Sequence, residues 1–334
     1  MMEFSKAKNV EGKLAWVDWM KSIGFYFIVL GHFFSIGDKY VYVFNVPLFF
    51  VISGFLCKRE SSSSVFWKKL WYNLIVPMVL ICVLNFAALC VVNIYHRSFQ
   101  SSDILLFILK LSIGMNSVLL ACWFVYTLII LKIVYHYLSG INQLFLVLLF
   151  VLAAYIYNGV EFFGKSLSRY PNSIANAFVA YPFFAIGLYL RQYKTILNCW
   201  NNKTAIVFLL LLALLLIYVC GSYNGYVMMF ACGFGSNFLL FILGGLAGVC
   251  AVFSISKLLN FYPSIIKIVS TGSILILGFH MYFVNFIRES GFERSFNDYI
   301  YAAIVVLMFI PLIVITKKLF PIMLGKYRVK GYKE

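Results

Sequence analysis

The sequence predicts an all-α, polytopic transmembrane helical bundle of about ten spans with both termini cytoplasmic, on three observations. Apolar residues make up 63% of the 334 and charged residues only 11%, too few charges to cover the core of a water-soluble domain of this size. The mean hydropathy is +0.94. The apolar residues fall in runs of the ~17 to 25 residues that cross a bilayer as helices, without the alternation over ~10 residues of a transmembrane strand.

In chain order the spans are expected near Leu14–Phe34, Val41–Leu56, Asn73–Tyr95, Val118–Leu138, Leu144–Asn158, Ser173–Arg191, Ala205–Cys220, Asn237–Ser254, Lys267–Ile287 and Ile300–Ile315. The first run is too long for a cleavable signal and lacks a small-residue cleavage pattern, so it should stay as a span. The second is short. Its Pro47 and Ser53-Gly54 would free backbone groups that must be satisfied inside the protein, so a tilted or broken helix is expected there. The uncharged, glycine-rich stretch 221–236 reads as a loop or a re-entrant segment. Every connection is short, which predicts a single integral-membrane domain over 1–334 with a basic cytoplasmic tail at 317–334.

The 27 basic against 11 acidic residues report orientation in a membrane protein rather than nucleic-acid binding. With a cytoplasmic start, inner segments hold Lys58, Arg59, Lys68, Lys69 and the basic tail, whereas outer segments hold Lys39, Arg97, Lys110, Lys165, Arg169, Arg288 and Arg294. The tail suits an anionic inner leaflet. The eight cysteines lie mostly in or beside apolar runs without metal-ligand spacing. They read as small buried hydrophobes, and no metal site is expected.

Ionisable residues inside the apolar runs are the functional candidates, because a charge near the hydrocarbon costs roughly 2.5 to 3.5 kcal/mol on insertion scales. From Asp18 to His32 an ideal helix rises roughly 21 Å, which puts Asp18 near the inner surface and His32 in the outer half of the membrane. A neutral imidazole there can take a proton from a hydroxyl and return it, or can sit hydrogen-bonded at the interface. Asp18 and Lys21 share a helix face and can pair at the membrane edge. The cluster Lys58, Arg59, Lys68 and Lys69 suits anionic lipid, and equally the phosphates of a cytoplasmic nucleotide-bearing donor. His280, inside the ninth span, is the next histidine to test, while Trp123-Phe124 reads as packing or interface aromatics. No phosphate-binding loop, dinucleotide fingerprint, zinc-protease motif or nucleophile elbow stands in a convincing setting.

Three stretches taken together, Lys13-Leu14-Ala15-Trp16-Val17-Asp18-Trp19-Met20-Lys21, Val29-Leu30-Gly31-His32 and Phe44-Asn45-Val46-Pro47-Leu48-Phe49-Phe50-Val51-Ile52-Ser53-Gly54-Phe55-Leu56, resemble the acyltransferase 3 family. They look closest to its fucose 4-O-acetylase-like branch. The resemblance continues through Lys68-Lys69, Pro77, Trp123-Phe124 and Phe183-Phe184-Ala185-Ile186-Gly187, and more loosely through Ser270 to His280. It implies transfer of an acyl group, usually acetyl from cytoplasmic acetyl-CoA, to a hydroxyl of a carbohydrate or surface-polymer precursor at a bacterial inner membrane. Acyl-CoA is then a co-substrate rather than a bound cofactor, and the expected partners are acyl-CoA, a carbohydrate acceptor and membrane lipids, with no nucleic acid. The resemblance assigns the catalytic base to His32 and places donor binding or support at Lys13, Asp18, Lys21, Lys68 and Lys69. Asn45, Ser53, Trp123 and His280 are the candidates for the oxyanion or acceptor side. The chain departs from the branch at Asn45, where a histidine is frequent, at Lys13, where arginine is usual, and at Asn73, where a basic residue is common. The same composition also fits a non-enzymatic glycan or lipid transporter or flippase, which would move its substrate without changing its mass.

Overall fold

A computed structural model describes residues 14–34, 37–96, 100–159, 172–259, 261–290 and 297–326. Lys13, and the tail from residue 327 onward, lie outside the described residues. The helices are α1 (Ala15–Gly31), α2 (Asp38–Tyr42), α3 (Asn45–Leu56), α4 (Ser63–Leu70), α5 (Val76–Tyr95), α6 (Ser102–Ser112), α7 (Asn116–Leu119), α8 (Trp123–Leu138), α9 (Gln143–Gly159) and α10 (Asn172–Gln192). They continue with α11 (Lys194–Cys199), α12 (Lys203–Asn224), α13 (Phe238–Leu258), α14 (Ser264–Thr271), α15 (Ser273–Glu289) and α16 (Asn297–Leu319). Among the described residues the β-structure is an isolated bridge between Met228 and Gly233.

Among the described residues seven helical segments are long and apolar enough to cross a membrane: Asp38–Leu56, Ser63–Tyr95, Asn116–Leu138, Ser173–Gln192, Lys203–Asn224, Phe238–Leu258 and Asn297–Leu319. The pair α14 and α15 makes an eighth if it counts as one crossing. The first and fifth expected spans are the 17-residue helices α1 and α9, whose rise of ~26 Å falls just short of a hydrocarbon core of ~30 Å.

Three expectations change in detail. The break in the second span lies at Val43-Phe44, between α2 and α3, and not at Ser53-Gly54. Pro47 is the third residue of α3, where a helix N–H has no intrahelical acceptor and its absence costs nothing. The ninth span is bent by 86° between α14 and α15. At the bend, the Ile313 side chain packs into the space that a Cβ on Gly272 would take. In the 221–236 stretch, α12 runs on to Asn224, and the remainder folds back through the short 3₁₀ turn Met229–Ala231. The helix α6 had no counterpart among the expected spans.

The chain packs as two compact units. The first comprises Met1–Cys57, Phe183–Met229 and Gly233–Ile315. Its centre is α13, which packs on α12, α1 and α3. Gly248 of α13 has no room for a Cβ because the Phe44 side chain fills that space, so the entry to α3 sits directly on the α13 backbone. The second unit comprises Lys58–Pro182, Phe230–Cys232 and Thr316–Glu334. There α4 passes through a π-helical turn at Trp71–Ile75 into α5, a widening placed just ahead of Pro77 that relieves the clash of its ring with the preceding turn. Buried polar groups in this unit satisfy one another: Ser173 donates to Asn116 Oδ1 at 2.7 Å, Thr127 to the Ser173 carbonyl at 2.7 Å, and Asn116 Nδ2 to the Phe230 carbonyl at 2.5 Å.

Candidate active site

The first unit carries two clusters, one at each end of α1. At the C-terminal end, His32 caps the helix, its backbone N–H donating to the Val29 carbonyl at 3.1 Å. The lack of a side chain at Gly31 lets α2 and α3 close in, since a Cβ there would lie 3.3 Å from the Tyr42 ring and 3.4 Å from Asn45 Nδ2. The Tyr42 hydroxyl donates to the Gly31 carbonyl at 3.0 Å, satisfying one of the acceptors that a helix end leaves open. The Tyr42 ring meets the His32 ring edge to face at 6.4 Å. Asn45 is buried and turns Oδ1 to the Val46 N–H at 2.8 Å.

The other ring against His32 is His280 of α15, with centroids 5.0 Å apart and planes at 42°. His280 is 1% exposed. Its Nδ1 lies 2.9 Å from the Ile276 carbonyl and 3.1 Å from that of Leu277. Carbonyls only accept, so Nδ1 carries the proton and the lone pair of the neutral ring sits on Nε2. That Nε2 is buried and, among the described residues, has no hydrogen-bond partner. Around the pair, Tyr226 packs its ring 5.0 Å from Tyr42 and donates to Asp38 Oδ2 at 3.1 Å. Arg288, also on α15, lies 5.1 Å over the Phe34 ring.

At the N-terminal end of α1, Asp18 accepts from two hydroxyls, Tyr262 on Oδ2 and Ser270 on Oδ1 at 2.5 Å. Burial and the adjacent Asp18 carboxylate raise the Tyr262 phenol well above its ordinary pKa, which keeps it a donor. Ser22 donates to the Asp18 carbonyl at 2.9 Å and reaches the Ile266 carbonyl at 3.4 Å, and Trp19 Nε1 donates to the Phe261 carbonyl at 2.8 Å. Asp18 is thus a bracket holding α1 against α14 and the segment before it. Asp18→Ala, which strands two donors, is expected to destabilise the detergent-purified protein by about 2 kcal/mol, and Asp18→Asn, which keeps one acceptor, by less. Thermal unfolding checks this; an unchanged midpoint for Asp18→Ala counts against the bracket.

A family model of the acyltransferase domain matches residues 14–317. The chain belongs to that family. Comparison with curated proteins and with solved structures found no match. With its membrane-length helices, this acyltransferase is a multi-pass membrane protein.

Of the residues singled out in the sequence, His32, His280 and Asn45 meet at one end of α1. Asp18 and Lys21 lie near the other, and Ser53, half-buried in α3, stands ~12 Å along the helix from Asn45. Lys68, Lys69 and Trp123 belong to the second unit. There Lys68 is exposed, Lys69 is bonded to both oxygens of Glu60 at 3.0 Å, and Trp123 opens α8 with its ring 6.3 Å from that of Phe230. An open cleft of about 570 Å³ in the same unit is lined by Arg59, Glu60, Ser61, Ser63, His136 and Tyr137. Among the described residues no His, Cys, Asp and Glu side chains cluster to hold a metal ion. The cluster around His32 also contains Tyr42, Tyr226, Asp38 and Arg288, none of which is a candidate from the sequence. Tyr42 stands three residues before Asn45, and of the bracket partners Ser270 opens the looser stretch of the resemblance while Tyr262 lies outside it.

Proposed function

We propose that this acyltransferase moves acetyl from cytoplasmic acetyl-CoA to a hydroxyl of a cell-surface glycan or its precursor. It works as a single domain in the bacterial inner membrane, with ten spans and both termini in the cytoplasm. The observation that supports this reading best is His32 at the end of α1, half-buried, with its ring against Tyr42 and His280. His32 takes the proton of the acceptor hydroxyl, the oxygen bonds to the thioester carbonyl carbon, the C–S bond breaks, and the departing thiolate leaves with the proton that His32 held. The Asn45 amide, lying against Gly31, is the nearby donor for the oxyanion of the tetrahedral intermediate. A pantetheine arm entering from the side of Asp18 has roughly 21 Å of helix to cover before it reaches His32, and the basic residue on that part of α1, Lys21, is where its phosphates would be held.

The test is mass spectrometry of surface glycans from cells with and without the chain, both fed carbon-13 acetate. Loss of one isotope-shifted acetyl mass from the glycans of the deletion strain is the expected result. Identical glycan masses in both strains would overturn the reading.

A further inference from the structure

We infer that His280 holds the acceptor through the hydroxyl next to the one that is acylated, so that the substrate is a vicinal diol. The inference rests on the glycan transfer reading and deepens it. His280 is 1% exposed, and among the described residues its Nε2 has no hydrogen-bond partner. The ring cannot hide that lone pair by flipping its tautomer, because the Ile276 and Leu277 carbonyls at 2.9 and 3.1 Å accept from Nδ1. Nε2 is therefore a fixed acceptor waiting for a donor, oriented before any substrate arrives.

The position of that acceptor decides the donor. The His280 ring lies 5.0 Å from His32, the proposed base. A hydroxyl has one hydrogen, and a hydroxyl that gives it to His32 has none left for His280. A ligand that satisfies both imidazoles must present a second donor beside the reacting hydroxyl, and the neighbouring hydroxyl on the adjacent ring carbon of a sugar is such a donor. One hydroxyl then loses its proton to His32 and becomes the nucleophile. Its neighbour donates to His280 Nε2, keeps its proton, and fixes which oxygen faces the base. His280 forms no bond and moves no proton.

The test compares full-length protein in five expression-matched strains: native, no copy, His32→Ala, His280→Leu and His280→Gln. Glycans are kept mildly acidic to suppress acyl migration, their acyl content is read by mass spectrometry and the acyl position by NMR. In the native strain the acyl group is expected on a carbon whose neighbour bears a free hydroxyl. His280→Leu, apolar and of similar size, is expected to lower acyl content by ~10-fold, the scale of one lost hydrogen bond. The remaining acyl groups should spread over both hydroxyls of the pair. His280→Gln, which offers an amide oxygen near the Nε2 position, is expected to stay within about threefold of native with the position unchanged. A purely structural role would alter the amount but not the position, so His280→Gln as impaired as His280→Leu, with the position intact in both, overturns the inference. So does an acyl group whose neighbouring carbons carry no free hydroxyl, an observation that needs no variant to fold. Native amount and position in His280→Leu, with His32→Ala inactive, overturns the inference alone. Glycans unchanged by deletion overturn the transfer reading and this inference with it.

Discussion

Acyl transfer by His32→Ala is expected to fall roughly 100- to 10,000-fold, the range associated with loss of a positioned general base. The variant should still fold. The His32 ring sits past the last residue of α1, and its contacts among the described residues are ring faces and edges of Tyr42 and His280 rather than hydrogen bonds that tie helices together. His32→Gln separates the two roles a histidine could play: it retains polarity and hydrogen bonding but takes no proton near neutral pH, so it too should be inactive. The measurement is the initial rate of labelled acetyl entering the glycan fraction of membranes, beside the unfolding midpoint of each purified variant. A rate within threefold of native, at native stability, would remove His32 as the base.

The largest effect on folding is expected at Gly54. A Cβ at Gly54 would overlap the Phe184 carbonyl, and one at Gly187 would overlap the Val51 carbonyl, so α3 and the second half of α10 meet backbone to backbone. Overpacking a core costs typically ~1 to 3 kcal/mol when side chains can shift. Here the obstacle is main chain, which cannot rotate away, and close approach through small residues is how helices gain contact in lipid. Gly54→Leu should therefore leave little folded protein after detergent extraction. Gly140→Ala is the control: nothing lies within 4 Å of the added carbon, and its stability should change by less than ~0.5 kcal/mol. A monodisperse Gly54→Leu protein with a native midpoint would contradict the backbone contact.

Hydropathy made the helical segments and the interest of His32 and His280 legible, because each depends only on residue type and local spacing, whereas Asn45 entered through the family resemblance. The direction of a helix is different. The bend at Gly272 leaves hydropathy unchanged, so 267–287 reads as one straight span. Asp18 shows the same boundary. Local spacing pointed to Lys21, three residues on, whereas the hydroxyls on its carboxylate come from Tyr262 and Ser270, far along the chain, where only tertiary packing brings them. Local spacing marks Ser53-Gly54 as a helix breaker, whereas Gly54 admits the Phe184 backbone of α10.

The bend gives the molecule something a straight span would not. Ser270 on α14 grips Asp18, and His280 on α15 meets His32, so the two arms of one bent element touch α1 at points roughly 21 Å apart along its axis. A helix pinned once can slide or swivel about the pin; a helix pinned twice by the same partner can do neither. A slip of one residue would turn the face of α1 by about 100° and part both contacts together. The spacing of the two imidazoles is thereby gauged from the opposite end of the helix.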